Sequence, residues 1–248
     1  MRAKARLHPV ALPAGLDAVL LRFSLLPEPR AMAAAQVLAA ELDRQAPPGV
    51  TEIAPGLVSV LLRFDRATTR REALTRALLS RAEAIAADPP ALPAPARRWM
   101  IPAAFGGEAG PQLAEIAKAV CKSETAAIQE LCATDLRVLA IGYAPGQPYL
   151  GLLPESWNLP RMRELNPQVP AGAIVTAVRQ LVMFTAGSAT GWRQIGLTGF
   201  RAFDPQREPP MPLRPGDGIR YAPVPAGELA GLIAAGDGFG GARLERLA

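Results

Sequence analysis

From Leu136 onward Gly and Pro interrupt the chain every few residues, and this punctuation leaves room for little except a tightly turned β domain. Short apolar, β-prone runs occupy Leu136–Tyr143, Ala173–Val178, Leu181–Phe184, Trp192–Ile195 and Ile219–Tyr221. Pro145-Gly146, Pro170-Ala171-Gly172, Gly187-Ser188, Gly199 and Pro215-Gly216-Asp217-Gly218 separate them. Such dipeptides favour turns, and short strands at close intervals favour a barrel or sandwich. Within this region, Gly142–Pro205 holds Tyr143, Tyr149 and Trp192, the aromatic residues best placed for recognition.

The first hundred residues have a different texture. Residues 1–16 read as a loose arm, and Ala18–Leu25 as a strand. Pro29 suits the first position of a helix, where its missing N–H is not needed. Met32, Ala35, Leu38, Ala39 and Leu42 then fall on one helical face. Val50–Ile53 and Leu57–Phe64 flank Ala54-Pro55-Gly56 as a hairpin. Leu74, Ala77, Leu78 and Ile85 form the stripe of a second helix, on which Arg70 and Arg71 read as solvated charges. A Pro-rich linker over 88–96 precedes a strand at Arg98–Ile101. The order β-α-β-β-α-β is the ferredoxin-like pattern. The expected class is α+β, with an N-terminal α/β domain and linker over 1–96 and a β-barrel domain over 97–248.

Between these regions, Gly106, Gly107 and Gly110 precede Pro111, as an interdomain turn or a weak anion-binding loop. Helices are expected over 111–121 and 123–133, the second capped by Ser123, and over 225–235. The residues after 235 read as a flexible tail.

Composition narrows the function. Lys and Arg number 27 against 22 Asp and Glu, a net charge of +5. The arginines are scattered, with no aromatic-interleaved basic run, so no nucleic-acid partner is expected. His8 is the only histidine, which excludes histidine-based metal sites and Ser-His or Cys-His pairs from the body of the chain. No metal site is expected. Cys121 and Cys132 lack CxxC spacing and read as reduced thiols. No apolar run approaches the roughly 20 residues of a membrane span. The basic N-terminal segment is too short in its apolar part for a signal peptide. A cytoplasmic protein without membrane contact is expected.

The residues Gly142-Tyr143-x-Pro145-Gly146-x-x-Tyr149-Leu150-Gly151 resemble the GFxPGFxYLG motif of the family that comprises the B-type subunit of 5-oxoprolinase, KipI and allophanate hydrolase subunit 1. Pro160-Arg161, Val169-Pro170-Ala171-Gly172, Gln180, Gly191-Trp192-x-x-Ile195-Gly196-x-Thr198, Phe203-Asp204 and Pro215-Gly216-Asp217 follow in that family's order. Phe105-Gly106-Gly107-Glu108-x-Gly110-Pro111-x-Leu113 is similar to its YGGxxGPDL. The chain departs from the family pattern at several places. Leu131 and Leu136 stand where spacing puts a histidine and a tyrosine. Gln112 replaces the GPD aspartate, Gln147 the second aromatic of GFxPGF, and Asn166 the second arginine of the PR pair. Ala173, Phe184-Thr185, Ala189 and Thr190 are further departures.

The resemblance implies a small α/β domain followed by a cyclophilin-like β-barrel. It implies a partner, the C-type (KipA-like) protein of 5-oxoprolinase, with an A-type protein as a further candidate. It implies ATP-dependent opening of 5-oxoproline to glutamate or, in the KipI branch, inhibition of a histidine kinase. This chain carries no phosphate loop, so ATP is expected on a partner or at a shared interface. A small acidic or lactam ligand is expected at Tyr143, Pro145, Gly146, Tyr149, Arg161, Gln180, Trp192 and Thr198. Arg161 is either a surface loop arginine or a bidentate grip on a carboxylate or phosphate. Gln180 is either a hairpin polar residue or an amide reader. Tyr149 and Trp192 offer apolar walls with polar handles, and core packing is the alternative for Trp192. Thr198 pairs with a ligand or with a strand neighbour. Asp204 and Asp217 read as turn formers, and no catalytic residue is assigned.

Overall fold

Alternating burial along two strands organises the N-terminal part. In a computed structural model that describes residues 7–88 and 91–247, the chain divides into two units, Met1–Ala94 and Pro95–Ala248. The first contains β1 (Val10–Ala14), β2 (Ala18–Arg22), α1 (Pro29–Arg44), β3 (Val50–Pro55), β4 (Ser59–Phe64) and α2 (Arg71–Ala87). Val19 and Leu21 of β2 and Val60, Leu62 and Phe64 of β4 are buried. Successive strand side chains point to opposite faces, so these residues share one face of the sheet. Leu38 and Leu42 of α1 and Leu74 and Leu78 of α2 join them in one core. Full burial of each such leucine stabilises the unit by about 1.5–3 kcal/mol.

The sheet order is β1-β2-β4-β3, antiparallel throughout. β2 and β3 flank β4 as a split βαβ, which is the ferredoxin-like arrangement. Its outer strand is not the expected one. The place beside β2 belongs to β1, from the segment read as a loose arm, and residues 98–101 lie in the second unit. An edge strand tolerates Pro13, because a missing N–H costs nothing on the solvent side. The β1–β2 turn is held by Arg71, whose guanidinium donates to Gly15 O at 2.9 Å, Leu16 O at 2.6 Å and Ala18 O at 3.0 Å. Arg71 is therefore a turn clamp rather than a solvated charge.

The second unit begins with β5 (Arg97–Phe105), α3 (Leu113–Ala119), α4 (Glu124–Ala133), β6 (Leu136–Ile141) and β7 (Pro148–Gly151). A single 3-10 turn at Glu155–Trp157 leads to β8 (Asn166–Val169), β9 (Ala173–Ala177), β10 (Gln180–Met183), β11 (Ser188–Thr190) and β12 (Arg193–Thr198). β13 (Gly218–Pro223), α5 (Ala226–Ala234) and β14 (Arg243–Arg246) complete it. The expected barrel is observed. Its order is β12-β9-β10-β7-β6-β13-β5, and β5 pairs back to β12 to close it. β5 can do this because it is long. Ala103–Phe105 meet Thr198–Gly196 of β12, while Arg97–Met100 meet β14 on the same edge. β13 runs parallel to β5 on the other edge. The segment read as a flexible tail is thus partly strand. Phe239, inside its glycine-rich run, stacks on Trp99 at 6.0 Å.

Trp99, Ile101, Val138, Leu150, Ile174, Leu181, Ile195, Phe200 and Tyr221 fill the barrel core, with Ile116 of α3 and Leu131 of α4 packed into it. Ser123 caps α4 as expected, accepting from Ala126 N at 3.2 Å. Asp217 does more than shape a turn. Its carboxylate, almost fully buried, accepts from Arg97 Nε at 3.0 Å, Arg97 Nη2 at 2.6 Å and Arg214 N at 2.9 Å. Nearby, burial pushes the Arg137 guanidinium below its ordinary range, against the opposing pull of Asp217 and Asp135.

Among the described residues no helix is long and apolar enough to cross a membrane, and no group of three His, Cys, Asp or Glu is placed to hold a metal ion. Both cysteines are free. Burial pushes the Cys132 thiol up to about 11.

Two outcomes are expected. Asp217→Asn leaves Arg97 short of its countercharge and should lower unfolding free energy by about 3 kcal/mol, read by urea denaturation; a loss below about 0.5 kcal/mol would show the pair to be dispensable. In alkylation at pH 8, exposed Cys121 should react well before Cys132, because at a pKa of about 11 only about a thousandth of the Cys132 thiol is thiolate. Equal rates at the two sites, read by peptide mass spectrometry, would contradict this.

Candidate functional site

Strands β7, β9 and β10 are buried on both faces, and their alternation builds two separate apolar clusters. Leu150, Ile174, Leu181 and Met183 point into the barrel. Their neighbours Ala173, Val175, Ala177 and Val182 point the other way and meet Val169, Phe184 and Trp192, with Tyr149 packed against them. The register supports this, since Tyr149 lies opposite Val182 and Leu150 opposite Leu181. This second cluster forms the apolar wall of a cleft of about 460 Å³ on the outside of the barrel.

Tyr149 and Trp192 meet edge to face at 6.3 Å. The Arg161 guanidinium lies over the Trp192 ring, 5.3 Å from its centroid. A cation over an indole face gains about 0.5–1 kcal/mol at an exposed site. Arg161 has no hydrogen bond or ion pair among the described residues, so its N–H groups remain available to a ligand. The loop bearing it is fastened by Met162 N donating to Gly191 O at 2.7 Å and Arg193 Nη1 donating to Pro160 O at 2.8 Å. Tyr143 stands at the lip, 80% exposed. No Asp, Glu or His is among the residues that line the cleft.

Behind Trp192 lies a reciprocal amide pair. Asn166 Nδ2 donates to Gln112 Oε1 at 3.0 Å, and Gln112 Nε2 donates to Asn166 Oδ1 at 3.2 Å. Asn166 Nδ2 also reaches Trp192 O at 3.1 Å, and Gln194 N donates to Gln112 Oε1 at 2.6 Å. Trp192 N donates to Thr190 Oγ1 at 3.1 Å. The indole wall is thus held through both the N–H and the C=O of its own residue.

Four of the residues singled out in the sequence, Tyr143, Tyr149, Arg161 and Trp192, come together on the cleft walls. Trp192 combines both of its readings, packed at 6% exposure and lining the cleft. Pro145 and Gly146 lie in the turn between β6 and β7. Gly146 has φ +68°, and a Cβ there would sit 2.7 Å from Ala202 O, so only glycine fits. Gln180 is buried in β10 and is not among the cleft residues. Thr198 donates to Pro102 O at 2.7 Å and accepts from Phe200 N at 3.2 Å, which ties the closing strands of the barrel. Asp204 shapes a turn, accepting from Gln206 N at 3.0 Å. In the glycine loop, Gly106 N donates to Ile195 O and Gly110 N to Gly106 O, so these donors are already committed.

Gln147, Met162, Leu165, Val182, Phe184, Ala189 and Thr190 also line the cleft and were not foreseen as site residues. For Val182 and Phe184, strand alternation was the available signal. Gln147, Ala189 and Thr190 were visible only as departures from a motif.

Residues 9–213 match the family model described as carboxyltransferase domain, subdomain C and D. The chain is 34% identical over 182 residues to a protein named as the B subunit of 5-oxoprolinase from Escherichia coli O157:H7, covering 73% of this chain and 81% of that one. It is 29% identical to the protein of the same name from Bacillus subtilis (strain 168), over 85% of this chain and 90% of that one. The Kluyveromyces lactis urea carboxylase superposes with a TM-score of 0.74 at 18% identity, over 99% of this chain and 24% of that one, a likeness of fold alone. Solved structures at 27–30% identity belong to a longer protein, of which this chain spans about two fifths.

Asn166→Ala should lower stability by about 1–2 kcal/mol and make tryptophan fluorescence more open to iodide quenching. An unchanged unfolding midpoint with unchanged quenching would show that the amide pair does not hold the Trp192 wall.

Proposed function

This chain belongs to the carboxyltransferase-domain family, and we propose that it is the B-type component of an ATP-dependent 5-oxoprolinase, acting with a C-type (KipA-like) partner, to which an A-type protein can be added. The observation that carries this reading is the cleft itself. Aromatic walls from Tyr149 and Trp192 suit a flat five-membered ring, and the available Arg161 guanidinium suits its carboxylate. The relatives named as the B subunit of 5-oxoprolinase support the substrate class.

The chemistry explains the need for partners. A lactam carbonyl is a poor electrophile. ATP, held by the partner or at the shared interface, would supply a phosphoryl group to the lactam oxygen with ADP as the leaving group, making the ring carbon open to water. Attack then breaks the ring C–N bond and releases phosphate, giving glutamate. That sequence needs a positive phosphate site and a general base. The cleft offers one cation and no carboxylate or histidine. Under this proposal the nucleotide and the base come from the partner or the shared interface, and this chain supplies binding and orientation.

A second reading is a KipI-like binding or regulatory protein of the histidine kinase inhibitor type. The same observation favours it, since a cleft without a proton acceptor binds as readily as it catalyses.

Co-expression with the C-type protein should give one complex in gel filtration. That complex should release phosphate from ATP faster with 5-oxoproline present and form glutamate. A complex that binds 5-oxoproline but turns over neither compound would decide for the regulatory reading. Arg161→Ala should weaken 5-oxoproline binding by about 1.5–3 kcal/mol, the range for a hydrogen bond to a charged group. Calorimetry showing unchanged affinity would remove Arg161 from the site.

A further inference from the structure

The residue on the cleft wall with the least explained position is Gln147. It is 2% exposed, yet its side-chain amide makes no hydrogen bond among the described residues. Its backbone is fixed on both sides, with Gly142 N donating to Gln147 O at 3.0 Å and Gln147 N donating to Ala144 O at 3.1 Å. The preceding Gly146 cannot relax, because its positive φ and the nearby Ala202 carbonyl hold the turn. The amide is not sealed from solvent, since it is not among the fully buried polar groups left without a partner, and it stands on the lining of the open cleft with its donor and acceptor uncommitted to protein. A polar occupant of the cleft can therefore meet both groups.

We propose that Gln147 is the specificity-determining residue of this cleft, and that it reads an amide-like group on the ligand, meaning an N–H and a C=O side by side as in a lactam or a primary amide. The proposal rests on the cleft being a small-molecule site. A glutamine side chain offers a carbonyl acceptor and an NH2 donor, so it pairs in two places with a group of that kind and in one with an ester or ketone. A carboxylate on the ligand goes to Arg161, and the lactam edge goes to Gln147. The other polar side chain deep in the wall, Thr190, already accepts from Trp192 N. The tyrosine hydroxyls of Tyr143 and Tyr149 lack the paired donor and acceptor geometry. The motif this chain resembles carries an aromatic residue at this position, so the substitution by glutamine changes an apolar contact into a polar one.

The test measures binding to the full chain without ATP, so it is independent of whether any complex turns over. The probes are 5-oxoproline and cyclopentanecarboxylate, which share ring size and carboxylate and differ in the amide. Wild-type protein should bind 5-oxoproline roughly tenfold more tightly, the scale of one to two neutral hydrogen bonds. Gln147→Met, close in volume, should bind both probes alike, with the affinity for cyclopentanecarboxylate retained. Gln147→Asn, which keeps the amide but withdraws it by one methylene, should show a reduced preference. If wild type does not distinguish the probes, or Gln147→Met keeps the preference, the assignment is overturned while the cleft remains a binding site. If Gln147→Met weakens both probes equally, the role is structural and the assignment is again overturned. If wild type binds neither probe, the cleft reading fails and this assignment fails with it.

Discussion

In the second unit, strands that are buried on both faces govern everything else. A strand with one wet face needs a single apolar set, and its other side chains are free to vary. β9 and β10 have no wet face, so each residue must fit either the barrel interior or the outer cluster. Period-two alternation then makes the two clusters inseparable. Leu181 cannot be seated in the barrel without Val182 being seated against Trp192 and Tyr149. A register slip of one residue would exchange the contents of core and cleft. The Tyr149 and Val182 wall of the site is therefore the reverse side of strands that also build the core.

This explains which features were legible in the sequence. The strand runs and their turns could be read because Gly and Pro act locally, and Gly146 fills its turn as its neighbours suggest. Pairing across long separations could not be read. β1 contains Pro13 and follows a basic segment, so its composition suggested an arm. It is a strand because Arg71, more than fifty residues away, holds the hairpin turn through three carbonyls. β14 contains Arg243, Glu245 and Arg246 and is exposed throughout. It pairs with β5 because Phe239 anchors the preceding glycine run on Trp99. In the site, Arg161 and Trp192 stood out by residue type. Gln147 did not, because glutamine is ordinary in sequence and becomes informative only when its place on the cleft wall is known.

The departures from the family motif are not equivalent once they are placed. Leu131 and Leu136 are in the barrel core and do not border the cleft, so their lack of polar groups removes nothing from its walls. Gln112 and Asn166 stand where the motif has an aspartate and an arginine, and they touch each other. Changing either alone would strand a charge in a half-buried place, which is strongly destabilising. Changed together, they leave a neutral pair that makes two mutual hydrogen bonds and still holds Trp192. Gln147, Phe184, Ala189 and Thr190 are of another kind, since all four line the cleft.

A cleft can change its lining while keeping its support only if the two are carried by different atoms. Here Trp192 is held through its backbone by Asn166 and Thr190, and the Arg161 loop by bonds to Gly191 and Pro160, with no bond passing through the open cleft. Thr190 serves in both roles, since it lines the cleft and its hydroxyl accepts from Trp192 N, while Gln147, Phe184 and Ala189 line it without bonding to Trp192 or Arg161 among the described residues. With one cation, two aromatic walls and no acid or base among the described residues that line it, the cleft offers contacts that bind and orient a ligand. Binding energy lowers a chemical barrier only where it is larger in the transition state than in the ground state. The mouth of the cleft stays open beside Tyr143, a lining side chain that stands mostly in solvent.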